Sequence, residues 1–368
     1  MLKDYIQQDV FGNWNQIKDS SIIKTLYLLL AQLDWQSMYF LLNVQSINYV
    51  KIPSDYKNIV ISFHTEYYDY YLLIDFFKKY SDCNFLLLSD GILHENIWPN
   101  NVTYVQWISW GEQLKLANEI YGHNISNRNP KKKLSSLSSR HEFHKAAITG
   151  YLINEYSESD YIISWHDIRY EKILYHLDAQ FSSTNTINNY LISDRFVNLK
   201  TTSPDGYEQK NNTAILNGNW QTTAYLDCAI NLTNESIFNS NFSYDNKCLK
   251  YTTPYLTEKT WKPLLARQPF LPIGQYQTLA HLSDLGMHFN YGLDVNAFDS
   301  CIADFSRLEK VFDLLDIIKN ISVEDLIEMT STSAEYNLHI IVNGIFKKNC
   351  DSKNASQVEK INSWIKEK

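Results

Sequence analysis

Short apolar runs alternate with amphipathic stretches along most of the chain. "NIVISFH" (58–64) is β-rich and ends in polar residues, and "YYLLIDFFKKY" (70–80) follows with helical spacing. "CNFLLLSDG" (83–91) and "NVTYVQWISWG" (101–111) predict two more strands, and "EQLKLANEIYG" (112–122) another helix. Alternation of this kind predicts βαβ units, hence a parallel sheet with helices on its faces. Ahead of it, "SSIIKTLYLLLAQLDW" (20–35) predicts a helix opened by a serine cap.

The polar stretch "GHNISNRNPKKK" (122–133) carries Gly, Asn and Pro and predicts a linker. The alternation then restarts. "KLSSLSS" (133–139) predicts a strand, "RHEFHKAAITGYLINEY" (140–156) a helix and "SDYIISWHD" (159–167) a strand. Residues 168–222 are less regular. "AYLDCAINLTNES" (224–236) is strand-like, "TEKTWKPLLAR" (257–267) a helix capped by Thr257, "QPFLPIG" (268–274) a strand and "YQTLAHLSDLG" (276–286) a helix. Residues 306–320 and 322–346 read as helices, and the amphipathic tail 356–368 as a segment that lies against another surface. The division expected is 1–130 and 131–368: two α/β domains with a cleft between them. Ligands of open parallel sheets sit beyond the carboxyl ends of strands, so those positions carry the candidate chemistry.

Length supports two domains, since 368 residues exceed one ordinary core. The net charge of -8 disfavours a protein that wraps nucleic acid, which usually needs a basic surface. Cys83, Cys228, Cys248, Cys301 and Cys350 are scattered, with no zinc-like spacing, and read as reduced thiols. No apolar signal segment opens the chain and no run approaches a membrane span, so a cytoplasmic location is expected.

Candidate chemistry concentrates at two strand ends and one helix start. Arg140 and Lys145 open a helix after a serine-rich strand, an arrangement suited to phosphate. From that stretch alone the plainer reading is favoured: a capped surface helix with solvated charges and solvent-facing His141 and His144. Asn234, Glu235 and Ser236 close the 224–236 strand, where polar residues are also ordinary turn chemistry. Glu258, Lys259 and Lys262 begin the next helix. Lysines at a helix start oppose its dipole, which suggests either an anion or nearby carboxylates that offset them.

The segment "CAINLTNES…YTTPYLTEKTWKPLLARQPFLPIG" resembles the signature of the fucosyltransferase-type inverting glycosyltransferases. Tyr255, Glu258 and Lys259 fall in register with its Tyr-x-x-Glu-Lys segment, and Arg140 falls on the family arginine. The resemblance covers roughly residues 131–290, and the chain as a whole looks like glycosyltransferase-like proteins of tailed bacteriophages. It departs in reading "TNES" where the family has Glu-Asn-Ser, and in a long 237–251 insertion.

The resemblance implies two Rossmann-like domains facing a cleft and a hexosyl- or pentosyltransferase using a nucleoside-diphosphate sugar as donor substrate. It implies inversion and no resident cofactor. Arg140 and Lys259 would hold the diphosphate, Glu258 a ribose or sugar hydroxyl, and Tyr255 the donor. No Asp-x-Asp occurs, so metal-free transfer is expected. The acceptor base would be Glu66, with Asp69 and His64 as neighbours in "SFHTEYYDYY"; "SDG" (89–91) and Asp167 are further strand-end candidates. The acceptor is a glycan or another hydroxyl compound. Two rival readings remain: a phage enzyme glycosylating modified DNA through "NRNPKKK" (127–133), and a binding protein that keeps the fold without catalysis. If phage-encoded, the protein would work in the host cytoplasm.

Overall fold

The computed structural model describes residues 38–42, 52, 57–63, 70–89, 98–106, 108, 114, 128–138, 142–165, 185–199, 223–235, 238, 241–244, 247–250, 254, 256 and 258–366. It is a mixed α/β structure with parallel sheets. The chain divides into two compact units. One gathers 1–115, 241–253 and 344–368, and the other 116–240 and 254–343. Neither unit is a single run of chain, whereas the sequence reading divides the chain once, at 130.

The first unit is built on β1 (Met38–Leu42), β2 (Asn58–Phe63), β3 (Asn84–Ser89) and β4 (Val102–Gln106). They pair in chain order, all parallel. Continuous apolar runs suit strands covered on both faces, and Ile59, Val60, Ile61 and Phe85 to Leu88 are buried. Between β2 and β3 lies α1 (Tyr70–Lys79), which buries Leu73, Ile74, Phe76 and Phe77 on one stripe. Lys78 and Lys79 in its last turn suit the negative end of the helix dipole.

The second unit carries β5 (Lys132–Leu137), α2 (Phe143–Glu155), β6 (Tyr161–Ser164), α3 (Asn185–Leu191), α4 (Asp194–Val197), α5 (Thr223–Leu226) and β7 (Cys228–Asn234). The strand expected over 224–236 is therefore a helical turn followed by a shorter strand. The 237–251 insertion contributes an antiparallel hairpin, β8 (Asn241–Tyr244) with β9 (Lys247–Lys250), to the first unit. The second unit resumes with α6 (Glu258–Leu265) and β10 (Phe270–Ile273).

Its four strands are parallel in the order β10-β7-β5-β6. The chain moves from β5 outward to β6, then returns past β5 to β7 and on to β10. Strand order thus reverses between β5 and β7, a topological switch point. All seven residues of β7 are buried, as a central strand requires, yet Asn231, Thr233 and Asn234 are polar. Asn231 donates to Ser135 Oγ (2.9 Å) and Thr233 donates to Asn231 Oδ1 (2.8 Å).

Arg267 stands in the left-handed region (φ 55°) just after α6. Gln268 N–H donates to the Pro263 carbonyl (2.8 Å) and Arg267 N–H to that of Leu264 (3.0 Å), the two bonds of a Schellman cap. The arginine inside the apolar stretch is thus an exposed helix terminator.

The second unit's carboxyl half continues with α7 (Thr278–Asp284), α8 (Asn296–Asp299) and α9 (Asp304–Lys319), and α10 (Val323–Val342) follows. α10 is opened by Ser322, whose hydroxyl accepts from Asp325 N–H. The single helix expected over 322–346 breaks at Gly344, whose φ of 70° is left-handed and suits glycine. α11 (Ile345–Lys366) then returns to the first unit and packs on β4. Asn354 of α11 pairs with both backbone groups of Ile108, accepting from N–H (2.8 Å) and donating to C=O (2.9 Å). No described helix is long and apolar enough to cross a membrane.

Candidate functional site

The carboxyl ends of the second sheet are tied together by polar groups. Ser138, just past β5, donates its N–H to Ser164 Oγ at the end of β6 (2.9 Å). Asn234, the last residue of β7, donates to Ser136 Oγ (2.8 Å) and Ser138 Oγ (3.4 Å) across the switch point. Its own Oδ1 is buried and has no partner among the described residues. Glu235 N–H donates to the carbonyl of Ile273 in β10 (2.9 Å). A Cβ at Gly274 would lie 3.3 Å from Glu235 Cβ, so glycine permits the two strand ends to approach.

Four charges meet here. Lys145, in the first turn of α2, is fully buried and lies 2.7 Å from Glu142, the residue preceding that helix. The carboxylate of Glu235 is also fully buried and accepts the Thr260 hydroxyl from α6. Lys259, half-buried in α6, adds a second positive charge near Lys145. Burial depresses the pKa of Lys145, opposed by Glu142 and reinforced by Lys259. Two ammonium and two carboxylate groups therefore share one buried corner, placed where ligands of parallel sheets bind.

The turn after β7 is held from both sides. His144 donates Nε2–H to the Glu235 carbonyl (2.9 Å), which fixes its neutral tautomer. Its ring stacks on Phe238 (4.8 Å, 11°), and the guanidinium of Arg307 in α9 lies 4.3 Å from the same ring. Arg307 also donates to the Phe238 and Gly274 carbonyls. Burial, then Lys145, pushes the pKa of His144 down to about 3. The N-terminus of α7 is already occupied, because Asp299 accepts from Leu279 N–H (2.8 Å) and Ala280 N–H (3.0 Å).

Of the residues singled out from sequence, Lys145, Asn234, Glu235 and Lys259 come together at these strand ends. Lys262 lies on the same helix as Lys259 and is half-buried; Glu258 is its first residue. Arg140, His141, Ser236, Tyr255, His64, Glu66, Asp69 and Asp167 lie outside the described residues. The surface reading of the 140–156 helix is corrected: His144 and Lys145 are core residues, because α2 turns this edge toward Glu235 and Phe238. Sequence reasoning missed Glu142, Thr260, Phe238 and Arg307. Glu142, three residues before Lys145 at a helix start, carried a readable signal; the others are joined only by the fold.

The basic run at 127–133 largely serves the protein's own backbone. Arg128 donates to the carbonyls of Tyr225, Arg267, Cys228 and Ala229. Lys132 donates to those of Glu158 and Ser159, and Lys133 to that of Lys319. Among the described residues no group of three or more His, Cys, Asp or Glu is arranged to hold a metal ion. Comparison with protein-family models, curated proteins and solved structures finds no match to this chain.

Proposed function

We propose that the protein is a glycosyltransferase that binds a nucleoside-diphosphate sugar at the switch point of the second sheet and transfers the sugar, with inversion, to a hydroxyl acceptor. Two Rossmann-like domains facing a cleft form part of this reading. The observation that carries it is the fully buried ammonium of Lys145 at the head of α2, reinforced by Lys259. A buried cation is costly unless it is paired and fully hydrogen-bonded; Glu142 alone does not fill the three donors of Lys145, and a diphosphate supplies further acceptors. The Tyr-x-x-Glu-Lys resemblance points to the same ligand.

In this reading the acceptor oxygen attacks the anomeric carbon, and its proton passes to a carboxylate on the acceptor side. The anomeric C–O bond breaks and its electron pair leaves with the diphosphate. Lys145 and Lys259 stabilise that developing charge, together with Arg140 by resemblance. Glu66 is the proposed base. The rival in which "NRNPKKK" grips DNA loses support, since Arg128, Lys132 and Lys133 hold backbone carbonyls.

Calorimetric titration with nucleoside diphosphates in EDTA tests the reading. Binding is expected without metal, and Lys259→Ala is expected to weaken it about tenfold or more, the worth of one charge-assisted contact. Binding that vanishes in EDTA and returns with Mg²⁺ or Mn²⁺ overturns the metal-free part. An unchanged dissociation constant in the variant removes Lys259 from the site. For the base, Glu66→Gln is expected to slow turnover roughly 10²–10⁴-fold and to spare diphosphate binding. Normal turnover in that variant, with inactive His64 or Asp69 variants, would move the base to the neighbour.

A further inference from the structure

The two carboxylates of the charged corner are not equivalent. Glu235 is locked: its side chain is fully buried against Thr260, its N–H is bound to Ile273 and its carbonyl to His144. Glu142 is built differently. It stands at the N-cap of α2, yet its side chain makes no capping hydrogen bond and turns to Lys145 instead. Its side chain is 17% exposed while that of Lys145 is 0% exposed, so solvent reaches the carboxylate and not the ammonium.

The pair is close. Lys145 Nζ lies 2.7 Å from Glu142 Oε2, and no other described group accepts from it. An ammonium has three donors. This one sits deep at a strand-order reversal with only Glu142 beside it among the described residues, and the buried acceptor Asn234 Oδ1 at the end of β7 has no partner among them. Both atoms are buried and polar, and neither finds its full set of partners among the described residues.

Charge balance supplies the next step. Lys145 and Lys259 are neutralised by Glu142 and Glu235 when the corner is empty. An arriving phosphate group brings at least one further negative charge into a poorly solvated place, where like charges repel strongly. One carboxylate must give way, and only Glu142 has solvent to retreat into.

We propose that Glu142 is an exchangeable counter-ion of Lys145, holding the place that a phosphate group of the ligand takes. This deepens the nucleotide-sugar reading and rests on it. Glu142 sets a threshold: only an anion that outcompetes a carboxylate tethered in the same helix gains Lys145. Polyphosphates pass that threshold, and singly charged anions such as chloride do not.

The test is titration of the full chain with inorganic pyrophosphate and, separately, chloride, in metal-free buffer of fixed ionic strength. Wild type is compared with Glu142→Gln and with Glu142→Asp. Glutamine keeps the shape and removes the competing charge. Aspartate is the safeguard if the glutamine variant folds poorly, because its shorter carboxylate suits the helix's own first-turn N–H groups and withdraws from Lys145. Both variants are expected to bind pyrophosphate more tightly, Glu142→Gln by about tenfold or more. Chloride is expected to raise the melting temperature of Glu142→Gln and not that of wild type. Equal or weaker pyrophosphate binding in both variants, beside normal wild-type binding, overturns the counter-ion role and leaves the phosphate site standing. No pyrophosphate binding by any of the three overturns the phosphate site and the counter-ion role with it.

Discussion

Arg307→Met is expected to lower the free energy of unfolding by about 3–5 kcal/mol, the range found when one member of a buried charged network is removed. The guanidinium is 1% exposed and fully engaged. Nε donates to Gly274 O (3.1 Å), Nη1 to Cys301 O (2.8 Å), and Nη2 to Phe238 O and to Asp304 (2.6 Å). Methionine restores much of the volume but none of the donors, so three carbonyls lose partners they cannot replace from water. Asp304 is 30% exposed and resolvates. Arg307→Lys is expected to fall between, because one ammonium cannot reach carbonyls spread around a planar fork. Urea unfolding curves decide it: a loss below about 1 kcal/mol for methionine, the ordinary worth of one hydrogen bond, would show that the network is relaxed elsewhere.

Acid is expected to destabilise the wild-type protein more steeply than His144→Gln. The folded pKa of His144 is about 3, and an unfolded histidine titrates near 6.5. Above pH 6.5 the ring is neutral in both states and imposes no penalty. As pH falls below 6.5 the unfolded chain takes up a proton that the folded chain refuses, so stability drains away until about pH 3. Burial accounts for most of the refusal, the ring being sealed against Phe238. Lys145 and, more weakly, Arg307 add repulsion, which Glu142 and the Glu235 carbonyl oppose. Between pH 7 and pH 4 the linkage amounts to about 3 kcal/mol. Glutamine can keep a donor to the Glu235 carbonyl but has no proton to gain. Ordinary carboxylates titrate alike in both proteins and cancel in the comparison. Parallel pH dependence of the two unfolding free energies would show that His144 opens to solvent before the fold does.

Much of the sheet architecture was legible in the sequence because parallel strands buried on both faces are written as unbroken apolar runs. β2, β3 and β10 fall inside runs read that way, and β7 inside a stretch read as strand-like despite its polar residues. β1 was not read: only Gln36 and Ser37 separate "MYFLL" from the apolar stretch 20–35, and a five-residue apolar run so close to it is easily taken as its continuation. The β8–β9 hairpin was missed because "NFSY" and "KCLK" are too polar and too short to stand out. At the site, Lys145, Asn234 and Glu235 were found by the rule that chemistry gathers just beyond strands, and Lys259 by its unfavourable place at a helix start and its register with the Tyr-x-x-Glu-Lys segment. His144 and Arg307 escaped because their meaning lies in distant partners. The His144 bond spans 91 residues of sequence and the Arg307–Phe238 bond 69. Neither has a local pattern that would separate it from a solvated side chain on an amphipathic helix.

The interleaving of the two units has a consequence for how the protein is made. Residues 344–368 belong with the first unit, yet they leave the ribosome only after the whole of the second unit has been synthesised. Until then β4 lacks the helix that packs on it, and Ile108 lacks the amide of Asn354. The nascent first sheet must therefore wait, incompletely covered, while its neighbour folds. A premature stop codon near position 344 would then leave the later-made unit whole and the earlier-made unit unfinished.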